Sequence, residues 1–334
     1  MSASTPAEEA DDTVATVAAE PLVPAGISDV FTYKSLVHAI SGATGGITAI
    51  SVFFPLNTAR IRIQVASSEE AKGLVQTIQD TIDEEGVQAL YQGWKSAVVA
   101  IGSSNFVYFY TYHLLKVAAR KYTDQKELST VANLLVASIA GVINVLTTSP
   151  FWTVNTRLVV QRKKAMKGVG SKLQYKGILD AFWQIARDEG YRGLWSGVIP
   201  SLWLVTNPSV QFVVYERVRL IMERIAEKRG RRITPLEFFF MGALAKAAAT
   251  LVTYPLQLAQ SKLRVDKEKK YKGTVDVMIK IYQKSGFKGL FQGIQAKLWQ
   301  TVLTAAFQFL TYEEVKYLVF LFLLGPKKVP KASE

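Results

Sequence analysis

Four runs without Asp, Glu, Lys or Arg constrain this chain more than any other feature. They cover residues 35–59, 96–115, 128–156 and 193–215, which are 25, 20, 29 and 23 residues long. A helix crosses the hydrocarbon core of a bilayer in about 20 residues, so each run is long enough to span. A fifth run, 238–261, is interrupted only by Lys246, and a sixth covers 298–312 and resumes at 317–324. The pattern predicts an all-α membrane protein with six transmembrane helices. The runs are rich in Ser, Thr, Asn, Gln and Gly. Such residues need partners or water, so the spans are expected to surround a wet cavity.

The spans fall into three copies of one unit. Gly93, Gly197 and Gly293 each close an aromatic-x-Gly element and are spaced 104 and 96 apart, as are Gly86, Gly190 and Gly286, and Gly73, Gly177 and Gly273. The prolines Pro55, Pro150 and Pro255 mark the odd spans, and the second copy carries extra residues within the basic stretch 162–172, which reads as a solvated insertion. Each unit holds two spans joined by a short amphipathic helix, such as 73–85 or 177–189. An even number of spans per unit makes the copies parallel, and three parallel copies imply a pseudo-threefold axis along the membrane normal with a central cavity on it. A proline deep in each odd span is expected to kink that helix where the pathway narrows. The units are 33–122, 128–225 and 234–322, flanked by a disordered acidic tail at 1–32 and a short tail at 323–334. Residues 1–20 have neither the basic start nor the apolar run of a signal peptide.

Charge narrows the function classes. The chain carries a formal +13, yet residues 1–30 hold six acids and no base, so the basic charge belongs to the membrane body. Anionic partners follow: nucleic acid, lipid headgroups or anionic small molecules. Nucleic acid is set aside because 23 of the 40 Lys and Arg lie in the three within-unit connections 60–95, 157–192 and 262–297, an asymmetry of membrane faces and not a binding stripe. With no cysteine and only His38 and His113, no nucleophile pair, paired carboxylates or metal cluster can be assembled at the pathway. Neither catalytic nor metal-ligating residues are expected, and pore, carrier and receptor remain.

The residues around the prolines choose among these. Pro55 is followed by Asn57, Arg60 and Arg62, Pro150 by Trp152, Asn155 and Arg157, and Pro255 by Gln257, Gln260 and Lys262. This pattern resembles the mitochondrial carrier family, whose repeated signature is Pro-x-[Asp/Glu]-x-x-[Lys/Arg]-x-[Lys/Arg/Gln]. A recurring Glu-Gly-x4-aromatic-x-Gly element and a later Tyr-[acid]-x-x-[base] element extend the resemblance over about residues 33–322. The departures from the signature, with Asn207-Pro208 and Lys246, are similar to a peroxisomal branch of that family. The resemblance implies exchange of coenzyme A, FAD and adenine nucleotides (AMP and ATP), with NAD as a further candidate, across the peroxisomal membrane by alternating access. These would be transported substrates, with no permanently bound cofactor; membrane lipid and a peroxisomal membrane-protein targeting receptor are the other implied partners. A mitochondrial inner-membrane nucleotide carrier and a non-transporting docking protein on the same scaffold are the alternatives.

Carried over from the family position by position, the interior-side gate consists of Asn57, Arg60, Trp152, Asn155, Gln257 and Gln260, one charge where the family has six. Closure there is expected to rest on amide hydrogen bonds and on packing of Trp152. The cytosolic-side gate consists of His113, Lys116, Glu216, Arg219, Glu313 and Lys316, with Glu216 meeting Lys316, Glu313 meeting Lys116, and Arg219 facing His113.

A nucleotide is not threefold symmetric, so residues that break the repeat at pathway height are the substrate-binding candidates. Ala100 and Gln300 stand seven residues after Gly93 and Gly293, and Trp203 with Leu204 aligns with them in the second copy. Trp203 and Leu204 are expected to hold an adenine face, with Gln300 or Lys297 toward phosphate or ribose; packing between helices or against lipid is the alternative for Trp203. Lys246 stands nine residues before Pro255, where the other units have Gly46 and Gly141, and Thr250 lies one turn further on. A charge inside a span costs at least about 2.5–3.5 kcal/mol, so Lys246 is expected to anchor the phosphate, with snorkelling as the alternative.

Restoring family-type charges should slow turnover by over-stabilising the closed interior gate. The test combines Asn57→Asp and Gln257→Glu with Asn155→Lys and Gln260→Lys; exchange in liposomes at or above the wild-type rate would contradict the reading of this gate.

Overall fold

The computed structural model describes residues 47–67, 69–123, 128–166, 175–304 and 306–307, which are helical with short turns and no strand. Both tails, the insertion core at 167–172, the first half of the first span and the end of the sixth, with Glu313 and Lys316, lie outside the described residues.

In the first unit, helical residues 47–52 lead through a turn at Phe53 into α1 (Phe54–Val65), with Pro55 in its first turn where a missing N–H costs nothing. The amphipathic α2 (Leu74–Glu85) and a 3₁₀ turn, Val87–Tyr91, return the chain to the 30-residue α3 (Trp94–Thr123). The second unit contains α4 (Thr130–Met166), α5 (Ile178–Asp188), α6 (Tyr191–Leu194) and α7 (Val198–Trp203), then a 3₁₀ turn, Leu204–Thr206, and α8 (Asn207–Lys228). The third contains α9 (Pro235–Arg264), α10 (Thr274–Gly289) and helical residues 294–304.

Among the described residues, three helical segments are long and apolar enough to cross a membrane by themselves: Thr130–Gln161, Tyr191–Lys228 and Leu236–Arg264. The expected second span is α3, about 45 Å long at 1.5 Å per residue. Ser103, Ser104, Asn105 and its tyrosines lower its hydropathy.

Pro150 and Pro255 lie inside α4 and α9, whose helices run on past them. Proline cannot donate to the carbonyl four residues back. In α4 that carbonyl, Leu146 O, instead accepts from the Trp195 indole at 2.7 Å. The loops into the amphipathic helices end similarly: Asp180 accepts from the Lys176 amide at 2.7 Å and Asp276 from the Lys272 amide at 2.9 Å. The Lys176 amide hydrogen bond holds the Asp180 carboxyl below its usual range; for Asp276 a side-chain bond from Lys280 leads and the Lys272 amide adds to it.

One feature departs from the continuous span expected over 193–215. The even span of the second unit is broken at Leu204–Thr206, directly before Asn207 and Pro208, whereas α3 is unbroken. Pro208 removes a helical donor and disfavours α geometry just before it, so the chain tightens to 3₁₀ there. Asn207 then donates from Nδ2 to Thr253 Oγ1 at 2.7 Å, tying the break to α9.

The units close on one another through their aromatic-x-Gly turns. Gly93, Gly197 and Gly293 have φ of +83°, +80° and +83°, a region that side chains disfavour. Each also lies against an odd helix of the next unit. A Cβ on Gly93 would come within 2.7 Å of Val159 in α4, one on Gly197 within 3.0 Å of the Gln260 carbonyl in α9, and one on Gly293 within 3.0 Å of Ile63 in α1. The contacts run from unit one to two, two to three and three to one, so the ring is closed and pseudo-threefold. Buried apolar side chains follow the same seams, with Phe54, Ile61, Ala97, Val159 and Val160 between the first two units.

Alanine at Gly93, Gly197 or Gly293 should therefore lower stability by about 2–4 kcal/mol, combining left-handed backbone strain with overpacking. Gly230 also has positive φ, +60°, but nothing near it, and Gly230→Ala should cost only about 1 kcal/mol. Melting of the purified protein in detergent distinguishes the two groups.

Candidate functional site

The proline of each odd helix is followed within two turns by side chains that converge on the axis. Asn57, Arg60, Trp152, Asn155, Gln257 and Gln260 line one cavity of about 60 Å³ between α1, α4 and α9. All six residues assigned to the interior gate thus come together, and Arg264, which sequence reasoning passed over, lines the same cavity. Among the described residues no carboxylate lines it.

The gate amides do not bond across the opening from one odd helix to another. Asn155 Oδ1 accepts from Ser96 Oγ at 2.9 Å, Gln260 Nε2 donates to Ser201 Oγ at 2.5 Å, and Asn57 Oδ1 accepts from Gln300 Nε2 at 3.2 Å. Each pair joins an odd helix to the even span of the preceding unit, in the cyclic order of the glycine contacts. Gln257 stays on its own helix, donating to Thr253 Oγ1 at 3.1 Å, and Arg60 Nη2 donates to Asn57 Oδ1 at 2.9 Å. Uncharged amides have no long-range pull across an opening, so they bond to the nearest packed neighbour. Among the described residues, the expected closure by amide bonds is therefore a set of sideways bonds.

The ion pairs of this face lie outside the cavity. Arg62, 1% exposed, makes a bidentate pair with Glu85 at 2.5 and 3.0 Å and reaches Thr81 at 3.2 Å. Arg157 pairs with Glu189, Nη2 to Oε2 at 2.8 Å, while its Nε donates to the Arg264 carbonyl at 2.8 Å. The third unit has Ser285 where these have glutamate, and Lys262 donates instead to the Ala66 carbonyl at the end of α1, at 2.7 Å. The signal was present in the Glu-Gly element, which served as a repeat landmark without its charge being matched to the last base of the signature.

On the opposite face, Lys116 is buried, with its Nζ 5.8 Å from the Tyr112 ring centroid. Arg219 pairs with Glu223 one turn along its own helix at 2.7 Å. That replaces the expected juxtaposition with His113, because an acid at i+4 is always within reach. His113 Nε2 is buried and without a hydrogen-bond partner, and Glu216 shares the helix of Arg219. The pairings Glu216–Lys316 and Glu313–Lys116 involve residues outside the described set.

At mid-span Lys246 is half-buried on α9 and makes no ion pair among the described residues. Thr250 is 1% exposed and spends its hydroxyl on the Lys246 carbonyl, 2.8 Å away, so it offers little to a ligand. Half-buried Lys297 lies within electrostatic range of both Lys246 and Arg60. Gln300 reaches the gate through Asn57 and keeps a buried Oε1 without a partner. Trp203, 62% exposed, and Leu204 flank the break in the second unit's even span. Ala100 is fully buried and presents no surface.

The family model for mitochondrial carrier proteins matches this chain three times, at residues 31–123, 126–225 and 231–321. The chain is 43% identical over 314 residues to peroxisomal membrane protein PMP34 of Mus musculus, covering 91% of this chain and 100% of that protein. It is 40% identical to mitochondrial substrate carrier family protein Q of Dictyostelium discoideum, over 85% of this chain and 88% of that one. It is 32% identical to a peroxisomal nicotinamide adenine dinucleotide carrier of Arabidopsis thaliana, over 84% and 95% respectively.

Glu189→Gln should leave the Arg157 guanidinium buried without its counter-charge and cost about 3–5 kcal/mol. Glu223→Gln, at an exposed pair, should cost about 1 kcal/mol or less. Equal losses of melting temperature for the two variants would contradict this assignment.

Proposed function

Because this chain belongs to the mitochondrial carrier family, we propose that it exchanges anionic nucleotide-type cofactors across the peroxisomal membrane by alternating access. The fold is that of an all-α membrane carrier, and two of the relatives are carriers by name. Coenzyme A, FAD and adenine nucleotides are the proposed substrates, with NAD a further one. The peroxisomal assignment is supported by two relatives whose names place them there, one of them a carrier of nicotinamide adenine dinucleotide.

The observation that carries the reading is a set of three cations, with Lys297 within electrostatic range of both Lys246 and Arg60, and, among the described residues, no carboxylate lining the gate cavity that Arg60 shares. Charges held in a low-dielectric span persist only with a counter-charge, water or a function. A phosphate or pyrophosphate supplies that counter-charge. In this reading Lys246 anchors the phosphate, Lys297 and Gln300 approach ribose or phosphate, and Trp203 and Leu204, at the break of Leu204–Thr206, take the base. Asymmetry matters here, since an adenine needs one aromatic neighbour and not three.

Exchange then alternates between two closed states. With the interior gate shut, substrate enters from the cytosolic side. As the odd helices part at their prolines, the cytosolic ion pairs form and the substrate leaves inward. Membrane lipid covers the outer faces throughout.

Liposomes loaded with adenine nucleotide and given labelled coenzyme A, FAD or NAD outside test the reading directly. Lys246→Gln should reduce uptake at least tenfold while the protein stays folded and inserted. Trp203→Ala should weaken adenine-bearing substrates more than phosphorylated compounds lacking the base. Wild-type uptake by Lys246→Gln with unchanged apparent affinity would remove that residue from the site.

A further inference from the structure

The interior gate has lost its acids but not its cations. Arg60 on α1 and Arg264 at the end of α9 line one small cavity, together with Trp152 of α4. The two guanidiniums lie within electrostatic range of each other. The Arg264 guanidinium sits 5.9 Å from the Trp152 ring centroid, so one ring face shields it without neutralising it. Arg60 places one nitrogen on Asn57 at 2.9 Å, and its Nε is buried with no hydrogen-bond partner. Every other polar lining group is an amide, a hydroxyl or the Trp152 indole, so among the described residues the cavity has no group able to balance two positive charges.

Such an arrangement is costly when empty. A buried guanidinium without a counter-ion loses hydration and is repelled by its neighbour, and one unpaired Nε adds a lost hydrogen bond. The planar fork of arginine, by contrast, matches a phosphate in bidentate fashion. The cavity of about 60 Å³, against the roughly 10–15 Å³ that one water needs on the same measure, leaves room for several waters or for a phosphate group.

We propose that the interior gate is itself an anion-binding site, in which Arg60 and Arg264 clamp a phosphate group against Trp152. The inference rests on the reading of the chain as a carrier of phosphorylated cofactors and extends it to a second location. The signature that this chain departs from has an acid in each unit at this height, and such acids would neutralise the gate. Here the cargo's phosphate does so, and the gate closes fully only around an anion. The return of an empty carrier is thereby disfavoured, which couples inward to outward movement as exchange.

Tryptophan emission reports on this site because Trp152 lines it. The full-length protein in detergent is titrated with inorganic phosphate, chloride being adjusted to hold ionic strength constant, and the Trp152→Phe titration is subtracted. The wild type should give a saturable Trp152-dependent change. Arg60→Gln and Arg264→Gln should each raise the apparent Kd at least tenfold, and Arg264→Lys should restore part of the affinity. Should either glutamine variant prove unfolded by circular dichroism, the corresponding lysine variant carries the test, with an expected Kd between wild type and loss. Lys246→Gln should keep the change, so that a failed transport assignment for Lys246 and a failed gate site give different results. Absence of a saturable change in the wild type, arginine variants that titrate as wild type, or loss of the change in Lys246→Gln alone would each overturn the proposal.

Discussion

Everything in this molecule hangs on three close approaches of backbone to helix. Gly93, Gly197 and Gly293 lie against the odd helix of the next unit in a closed cycle, and each has a positive φ. At that distance a methyl group would force the facing helix to give way, so the position of each odd helix is tied to its neighbour's turn. Because the cycle returns to its start, no unit can be placed independently of the other two. The three signature segments therefore arrive at one height around one axis, which is the condition for a gate.

Charge is distributed to suit that ring. The strong pairs, Arg62 with Glu85 and Arg157 with Glu189, run from odd helix to amphipathic helix within a unit. They brace each unit and leave the axis free. The third unit has no such acid, and Lys262 instead holds the Ala66 carbonyl of the first, so that the seam between the last and first units is fastened by Lys262, Gln292 and the Gln64–Tyr254 bond. At the axis itself, the groups that remain are Asn57, Asn155 and Gln260 turned toward even spans, Gln257 bonded along its own helix, and guanidiniums without acids. A gate built this way is held by packing and responds to an anion.

Two departures from threefold repetition give the pathway a direction around its axis. Lys246 stands where the other units have Gly46 and Gly141, and the second unit's even span is broken at Leu204–Thr206, where α3 of the first unit is continuous. Asn207 joins them structurally through Thr253, one helix turn from Gln257 at the gate. The polar network thus links the break in one even span to the odd helix that carries the mid-span lysine.

Much was legible in the sequence because bilayers and repeats leave one-dimensional traces. Charge-free lengths announce spans, constant spacings announce copies, and a proline followed at fixed offsets by gate residues places Asn57, Arg60, Trp152, Asn155, Gln257 and Gln260 on one layer, where the structure also has them. What the sequence could not decide is which partner each polar group takes, since that depends on distances of a few ångströms between segments about a hundred residues apart. Arg219 chose Glu223 on its own helix over His113, the gate amides chose even spans over one another, and Ala100 and Thr250 were buried at positions where exposure was expected. Arg264 entered the cavity from beyond the signature because α9 continues helical past Pro255. Periodicity assigns a residue to a layer; only the packing of helices settles its neighbours, because hydrogen bonds and ion pairs fall off over lengths shorter than the width of one helix.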